Sequence, residues 1–342
     1  MMEKSMFDRE KTKDIFDYQY LDSPLLDVYS YFHTKFTTLF DEYSTLYGID
    51  NNYFYIQNNI LCNAFAKKSS TRNIIAITNG YPIQINNKLS KSYFENIVAL
   101  AFINEKDVAE AFCDLVENNF QFNKFFLDCS IQFTFSHEFQ HVLQMNYGEH
   151  GFYFQENYEF NKFDLRKHVW EFDADRMGSY EVLKLVFSYY KKLDFKSVGK
   201  LKCMLILGCT SMVLTQYLFY LGIINQVGPN YKVTKQDFYT KQYSHPHPLV
   251  RTINILEFYF NNISDDFASL SLDSQTLLIN CIGFLKLYFE SFIINDNVTD
   301  FLFGDLELYI DAINEYNQEL YDSAVQDETI TGILNARNII FE

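Results

Sequence analysis

Hydrophobic positions along this chain follow two periods, one near 3.6 residues and one near 2, and the switches between them lay out the elements. Apolar and aromatic residues recur at helical spacing from Pro24 to Leu46, which predicts an aromatic-rich helix. Short β-rich runs follow at Tyr53 to Ile60, Cys62 to Lys67, Asn73 to Thr78 and Pro82 to Asn86, with turn chemistry at Asn79-Gly80. The helical period returns from Ser92 to Asn118, runs through an apolar stretch around Ile131 to Leu143, and resumes from Asp164 to Lys191. Beyond Arg251 helices are predicted at Thr252 to Asn262, Ser271 to Ile293, Asp305 to Tyr321 and around Ile330 to Phe341. There Phe258, Phe260, Phe284, Leu285, Tyr288 and Phe289 supply apolar faces that read as core. Strands preceding helices predict an α+β fold with a small sheet beside one central helix.

That central helix carries chemistry. In His137-Glu138-Phe139-Gln140-His141 the two histidines lie four apart, so both rings project from one face and can reach one tetrahedral ion. Glu138 then stands beside the ion, placed to take a proton from water. Ile131, Phe133, Phe135, Phe139, Val142 and Leu143 make the segment apolar nearly all round, so it is expected to be buried. Two imidazoles and a carboxylate in such surroundings need a compensating partner, and Zn²⁺ would supply it. The bland reading is a buried helix whose histidines bond to backbone carbonyls, and a third ligand decides between the two. The candidate is Glu171. It shares a helical face with Asp175, four residues on, which suits a division of labour: Glu171 on the metal and Asp175 on the free N–H of a ligand histidine.

The run Glu171-Phe172-Asp173-Ala174-Asp175-Arg176-Met177-Gly178 resembles the Glu-x-x-Ala-Asp segment of the gluzincin metallopeptidases related to HtpX and the CAAX prenyl endopeptidases. Two further pieces are similar and in the family's order. Asn63-Ala64-Phe65-Ala66, followed by Asn73 to Gly80, resembles the family's paired strands, and Ser244-His245-Pro246-His247-Pro248-Leu249-Val250-Arg251 its His-Pro element. The resemblance implies a zincin-like fold and a zinc endopeptidase acting on a protein or peptide. His137, His141 and Glu171 would hold one Zn²⁺, Glu138 would be the general base, and Asp175 would support a ligand. It also implies that His245, or His247 by a different count to Arg251, donates to the developing oxyanion, with Arg251 supporting that region. Asn63, Ala64 and Phe65 would line the cleft on a sheet edge able to take substrate as an added strand. The likeness covers about residues 55 to 255. It implies a peptidase domain at 51–256, an N-terminal helical extension at 1–50 and a C-terminal helical region at 257–342 packed on it.

The relatives implied by those motifs carry several membrane helices, whereas this chain offers one uncharged apolar run, Cys203 to Ile224. Thr210, Ser211, Thr215 and Gln216 interrupt it. It also separates Glu171 from His245, which must meet on one side of any bilayer, so a buried core helix is expected and membrane attachment is the minority reading. The connection from Tyr147 to Asn161, rich in Tyr, Phe, Asn and Gly, could shape specificity but reads more simply as an aromatic loop.

Composition adds limits. The chain has 342 residues, 48% of them hydrophobic, enough for a large core. Its net charge of -16 argues against nucleic acid and anionic lipid as partners. Residues 1 to 20 mix Glu, Lys, Asp and Arg without an apolar core segment, so a cytoplasmic location is expected. Cys62, Cys113, Cys129, Cys203, Cys209 and Cys281 lack tight pairing and read as reduced residues. Two further hypotheses stay open: a catalytically inactive zinc-stabilised binding module, and a peptidase specialised for a host protein, as in bacterial phage exclusion, the latter by analogy of fold only.

Overall fold

The computed structural model describes residues 14–69, 71–86, 91–102, 105–148, 153–155, 163–221, 237–263, 270, 272–290, 303–304 and 306–336. Within them the protein is mostly helical with one small mixed sheet, the α+β class that the periodicities predict. Helix α1 (Leu25–Tyr47) buries Tyr29, Phe32, Phe36 and Phe40 along one face, then stops at Gly48, whose positive φ of 64° closes the helix end. Its aromatic face lies on Phe54 of the sheet and on Phe135 and Phe139.

The sheet has the order β1-β3-β2-β4. Strands β1 (Asn52–Gln57) and β3 (Asn73–Thr78) run parallel, while β2 (Ala64–Lys68) is antiparallel to β3 and to β4 (Tyr153–Gln155). The stretch Pro82 to Asn86, expected as a strand, is instead helix α2 (Gly80–Asn86). Alternating Ile83 and Ile85 imitate a strand, but Tyr81, Pro82, Gln84 and Ile85 are all buried, a pattern that covers most of a helix surface. Pro82 sits in the first turn, where a missing N–H breaks no helical bond. A Cβ on Gly80 would lie 2.0 Å from the Ile60 carbonyl oxygen, so Asn79-Gly80 serves a close crossing into the helix and joins no hairpin. The helices expected from Ser92 to Asn118 are α3 (Lys91–Ala101) and α4 (Lys106–Glu117).

Helix α5 (Phe122–Tyr147) is buried along almost its whole length and occupies the centre. Antiparallel to it lies α6 (Leu165–Lys191), begun by Asp164, whose side chain accepts from the Arg166 N–H. The two helices close tightly where Gly178 meets Phe133: an added Cβ would sit 2.7 Å from the ring. That contact fixes the register that carries Glu171 and Asp175 opposite His141 and His137.

Helix α7 (Val198–Leu221) is long and apolar enough to cross a membrane, yet 89% of its most apolar stretch is buried inside the protein. Its polar groups explain how it fits a core. Thr210, Ser211 and Thr215 hydroxyls bond back to carbonyls of their own helix, and Gln216 donates to Pro248 O and accepts from Thr252. Helices α8 (Pro248–Asn261), α9 (Ser274–Glu290), α10 (Leu306–Gln326) and α11 (Glu328–Ala336) complete the described fold, with α8 and α10 against α6. Tyr259 takes the buried place on α8 while Phe258 and Phe260 are only half-buried; Phe284, Leu285, Tyr288 and Phe289 are buried as expected. One continuous apolar core runs from Tyr29 on α1 to Ile333 on α11.

Candidate metal centre

His137, His141 and Glu171 bring one donor atom each to within 4.8 Å of one another, all three side chains being 1–2% exposed. His137 Nε2 lies 3.1 Å from His141 Nε2 and 3.4 Å from Glu171 Oε2, and His141 Nε2 lies 3.3 Å from Glu171 Oε1. Bonds of about 2.0–2.1 Å to one tetrahedral ion place neighbouring donors about 3.3 Å apart, close to the separation of the two ring nitrogens and of each nitrogen from the carboxylate oxygen nearest to it.

The outer contacts fix which nitrogens carry hydrogen. Asp175 is fully buried and grips Arg251 with both oxygens, at 2.9 Å from Nε and 2.7 Å from Nη2, so it is an ionised acceptor. It faces His137 Nδ1 at 3.1 Å, a placement that favours the ring hydrogen on that nitrogen. His141 Nδ1 meets Gln144 Oε1 at 2.7 Å. The amide nitrogen of that glutamine is already committed to two acceptors, Trp170 O at 3.0 Å and Asp173 Oδ2 at 2.8 Å. His141 must then be the donor, and both neutral rings turn an Nε2 lone pair inward. Two lone pairs and a carboxylate facing each other at these distances repel unless a cation lies between them. Burial alone would raise the Glu171 carboxyl, but the His245 imidazole facing its Oε1 holds it well below the usual carboxylate range. Glu138, Glu171 and Asp175 against the one Arg251 guanidinium leave two net negative charges in a region at most 3% exposed, which a divalent ion cancels. Two imidazoles and one carboxylate are a donor set that fits Zn²⁺.

Glu138 follows His137 on α5, is 1% exposed, and by helix geometry stands beside the two rings. His245 comes from the stretch before α8 and also reaches the cluster, its Nε2 3.3 Å from Glu171 Oε1. Its Nδ1 lies 2.9 Å from Ser244 Oγ, a hydroxyl able to donate to it, and in that tautomer Nε2 carries the hydrogen toward Glu171. His245 reaches the cluster whereas His247 caps α8, its Nδ1 accepting from the Leu249 N–H, with its ring against Phe238 and Tyr239. Burial lowers the His247 imidazole to about 3, as expected of a neutral cap. Arg251 clasps Asp175 and lies 3.6 Å from Glu171 Oε2, so its place is with the supporting carboxylates.

Asn63, Ala64 and Phe65 are buried, with the Asn63 N–H bonded to Thr78 Oγ1. The expected open edge beside them is covered, because β4 pairs with Phe65, Ala66 and Lys67. The short connection between α5 and α6 returns a strand to the sheet, so β2 is internal there. The rest of that connection, at 149–152 and 156–162, lies outside the described residues.

Sequence patterns did not disclose Gln144, Asp173 or Gln140. Gln140 and Gln144 both donate to Asp173 Oδ2, at 2.7 and 2.8 Å. The available signal was spacing: Gln144 is one turn beyond His141, and Asp173 lies between the two carboxylates already chosen. His168, on α6, was also missed. Its Nε2 donates to Tyr243 O at 2.8 Å and its Nδ1 accepts from Tyr316 OH at 2.8 Å, tying the backbone just before His245 to α6 and α10. Burial lowers this imidazole to about 4. The cysteines are all free; Cys113 is exposed and the other five are buried.

Comparison with family models, with curated proteins and with solved structures finds no match to this chain.

Proposed function

We propose that this protein is a zinc-dependent metalloendopeptidase with a zincin-like active site of the gluzincin kind, hydrolysing a peptide bond in a protein or peptide. The observation that carries the reading is the meeting of His137, His141 and Glu171 at tetrahedral spacing on antiparallel helices, with Glu138 in the same turn. A divalent ion held there supplies Lewis acidity toward water and a carbonyl group. Glu138, a buried carboxylate, takes the proton from the attacking water and later delivers it to the leaving amine. His245 presents its Nε2 hydrogen on the Glu171 side, where it donates to the carbonyl oxygen as negative charge builds. Asp175 and Arg251 hold His137 in the tautomer that leaves Nε2 free.

The test is Glu138→Gln, compared with wild type in zinc content, thermal unfolding and a proteome-wide cleavage screen. Zinc and fold are retained and cleavage falls by at least about 10²-fold, the usual contribution of a general base. A variant that cleaves the same bonds at the wild-type rate removes Glu138 from its role. One observation favours a second reading: the ligands, Glu138 and His245 are at most 5% exposed, as a purely structural zinc would be. That reading predicts no cleavage by wild type under conditions where zinc is bound.

A further inference from the structure

The two ligand histidines are supported in different ways. His137 leans on an ionised carboxylate that is itself clamped by a guanidinium. His141 leans on a neutral amide, Gln144, at 2.7 Å. An amide has one accepting and one donating end, and only one orientation serves His141. Flipping Gln144 would turn its NH₂ toward His141 Nδ1 and its oxygen toward Trp170 O and the Asp173 carboxylate, opposing oxygen to oxygen at 3.0 and 2.8 Å. Nδ1 would then have to accept, which moves the ring hydrogen to Nε2 and points it into the cluster, 3.1 Å from His137 Nε2. A nitrogen carrying hydrogen cannot bind a metal.

Two acceptors on α6 prevent the flip. Trp170 O and Asp173 Oδ2 both take hydrogens from the Gln144 amide nitrogen, and Asp173 is itself steadied by Gln140 at 2.7 Å. Gln140, His141 and Gln144 come from one turn of α5, Trp170 and Asp173 from the facing turn of α6, so the register of the two helices builds the relay. We infer that Gln144 is a positioning residue of the metal centre: locked in orientation by Asp173 and Trp170 O, it holds His141 in the tautomer that leaves Nε2 free for the ion. This rests on the metal reading of the site and adds to it the means by which the second ligand is prepared.

Zinc affinity is measured by competition with a chromophoric chelator on folded wild type, Gln144→Leu, Gln144→Glu combined with Asp173→Asn, and Asp173→Asn alone, with circular dichroism as the check of fold. Gln144→Leu, of similar volume but without an acceptor, is expected to bind zinc about 10–100-fold more weakly. Gln144→Glu keeps an acceptor on His141 but turns its second oxygen toward the Asp173 carboxylate, so it is measured combined with Asp173→Asn, where affinity is expected to stay within a few-fold of wild type; a purely structural role would make the pair as poor as the leucine. Asp173→Asn alone frees the amide to turn and is expected to fall between them. The ring nitrogens also report directly: in metal-free wild type, ¹⁵N shifts of His141 should show hydrogen on Nδ1. An Nε2–H ring in that spectrum, or a folded Gln144→Leu with wild-type affinity, overturns the inference even if the variants prove hard to fold. Wild type that binds no zinc instead overturns the metal reading beneath it.

Discussion

Asp175→Asn removes one charge from a completely enclosed pair and leaves the rest of the side chain in place. In wild type the carboxylate takes both Arg251 bonds and faces His137. The asparagine can accept from one of them, and its NH₂ is left pointing at a donor. The Arg251 guanidinium, 3% exposed, then has lost its nearest carboxylate, with Glu171 standing off at 3.6 Å. Breaking a buried pair from one side costs about 3–5 kcal/mol, because the remaining charge is stranded away from water. Spread over 342 residues at about 2.1 cal/mol/K each, that lowers Tm by about 4–7 °C. The assay is thermal unfolding of EDTA-treated protein, so that metal linkage does not enter, followed by zinc titration, where a further loss of about 10–100-fold in affinity is expected. Arg251→Met alone strands the carboxylate and is comparably harmful. The double variant removes both charges and should be better than the sum of the singles by at least about 2 kcal/mol. Additive singles, or an Asp175→Asn protein within about 0.5 kcal/mol of wild type, refute the pairing.

Gly178→Ala puts a Cβ 2.7 Å from the Phe133 ring and should cost about 1–3 kcal/mol in denaturant unfolding while weakening zinc binding, since the same contact sets the spacing of α5 and α6; unchanged stability would show that the helices are not closely registered there. His168 is neutral in the fold, titrating only at about 4, whereas an unfolded histidine takes its proton near about 6.5. Protons therefore favour the unfolded chain as pH falls from 6.5 toward 4, removing on the order of 3 kcal/mol of stability, and His168→Gln should flatten that part of the curve; an identical slope in the variant would contradict the assignment. Of the six thiols, Cys113 alone is exposed, so a native thiol titration should show one fast group that Cys113→Ser abolishes, the other five reacting only on unfolding.

The cluster that could hold a metal was legible because helix geometry converts sequence spacing into position: His137 and His141 four apart on one helix meet Asp175 and Glu171 four apart on an antiparallel one. Of the two histidines the His-Pro element offers, His245 reaches Glu171 and His247 caps α8, a difference that depends on where the chain turns into that helix. What could not be read depends on contacts between elements. Nothing local in Gln144 says that its amide will be claimed by Trp170 O and Asp173. The pairing of β4 with β2 joins residues about ninety apart across a connection with no strand period of its own. Pro82 to Asn86 misleads because a helix buried all round has no polar face, so alternation of two isoleucines passes for a strand.

The most direct measurement is X-ray absorption at the zinc edge of the purified protein loaded with one equivalent of metal. The account predicts a first shell of nitrogen and oxygen alone at about 2.0–2.1 Å, with the outer scattering of two imidazoles that falls to one in His141→Ala. A sulfur shell near about 2.3 Å, or a two-imidazole pattern that survives the loss of His141, would contradict it.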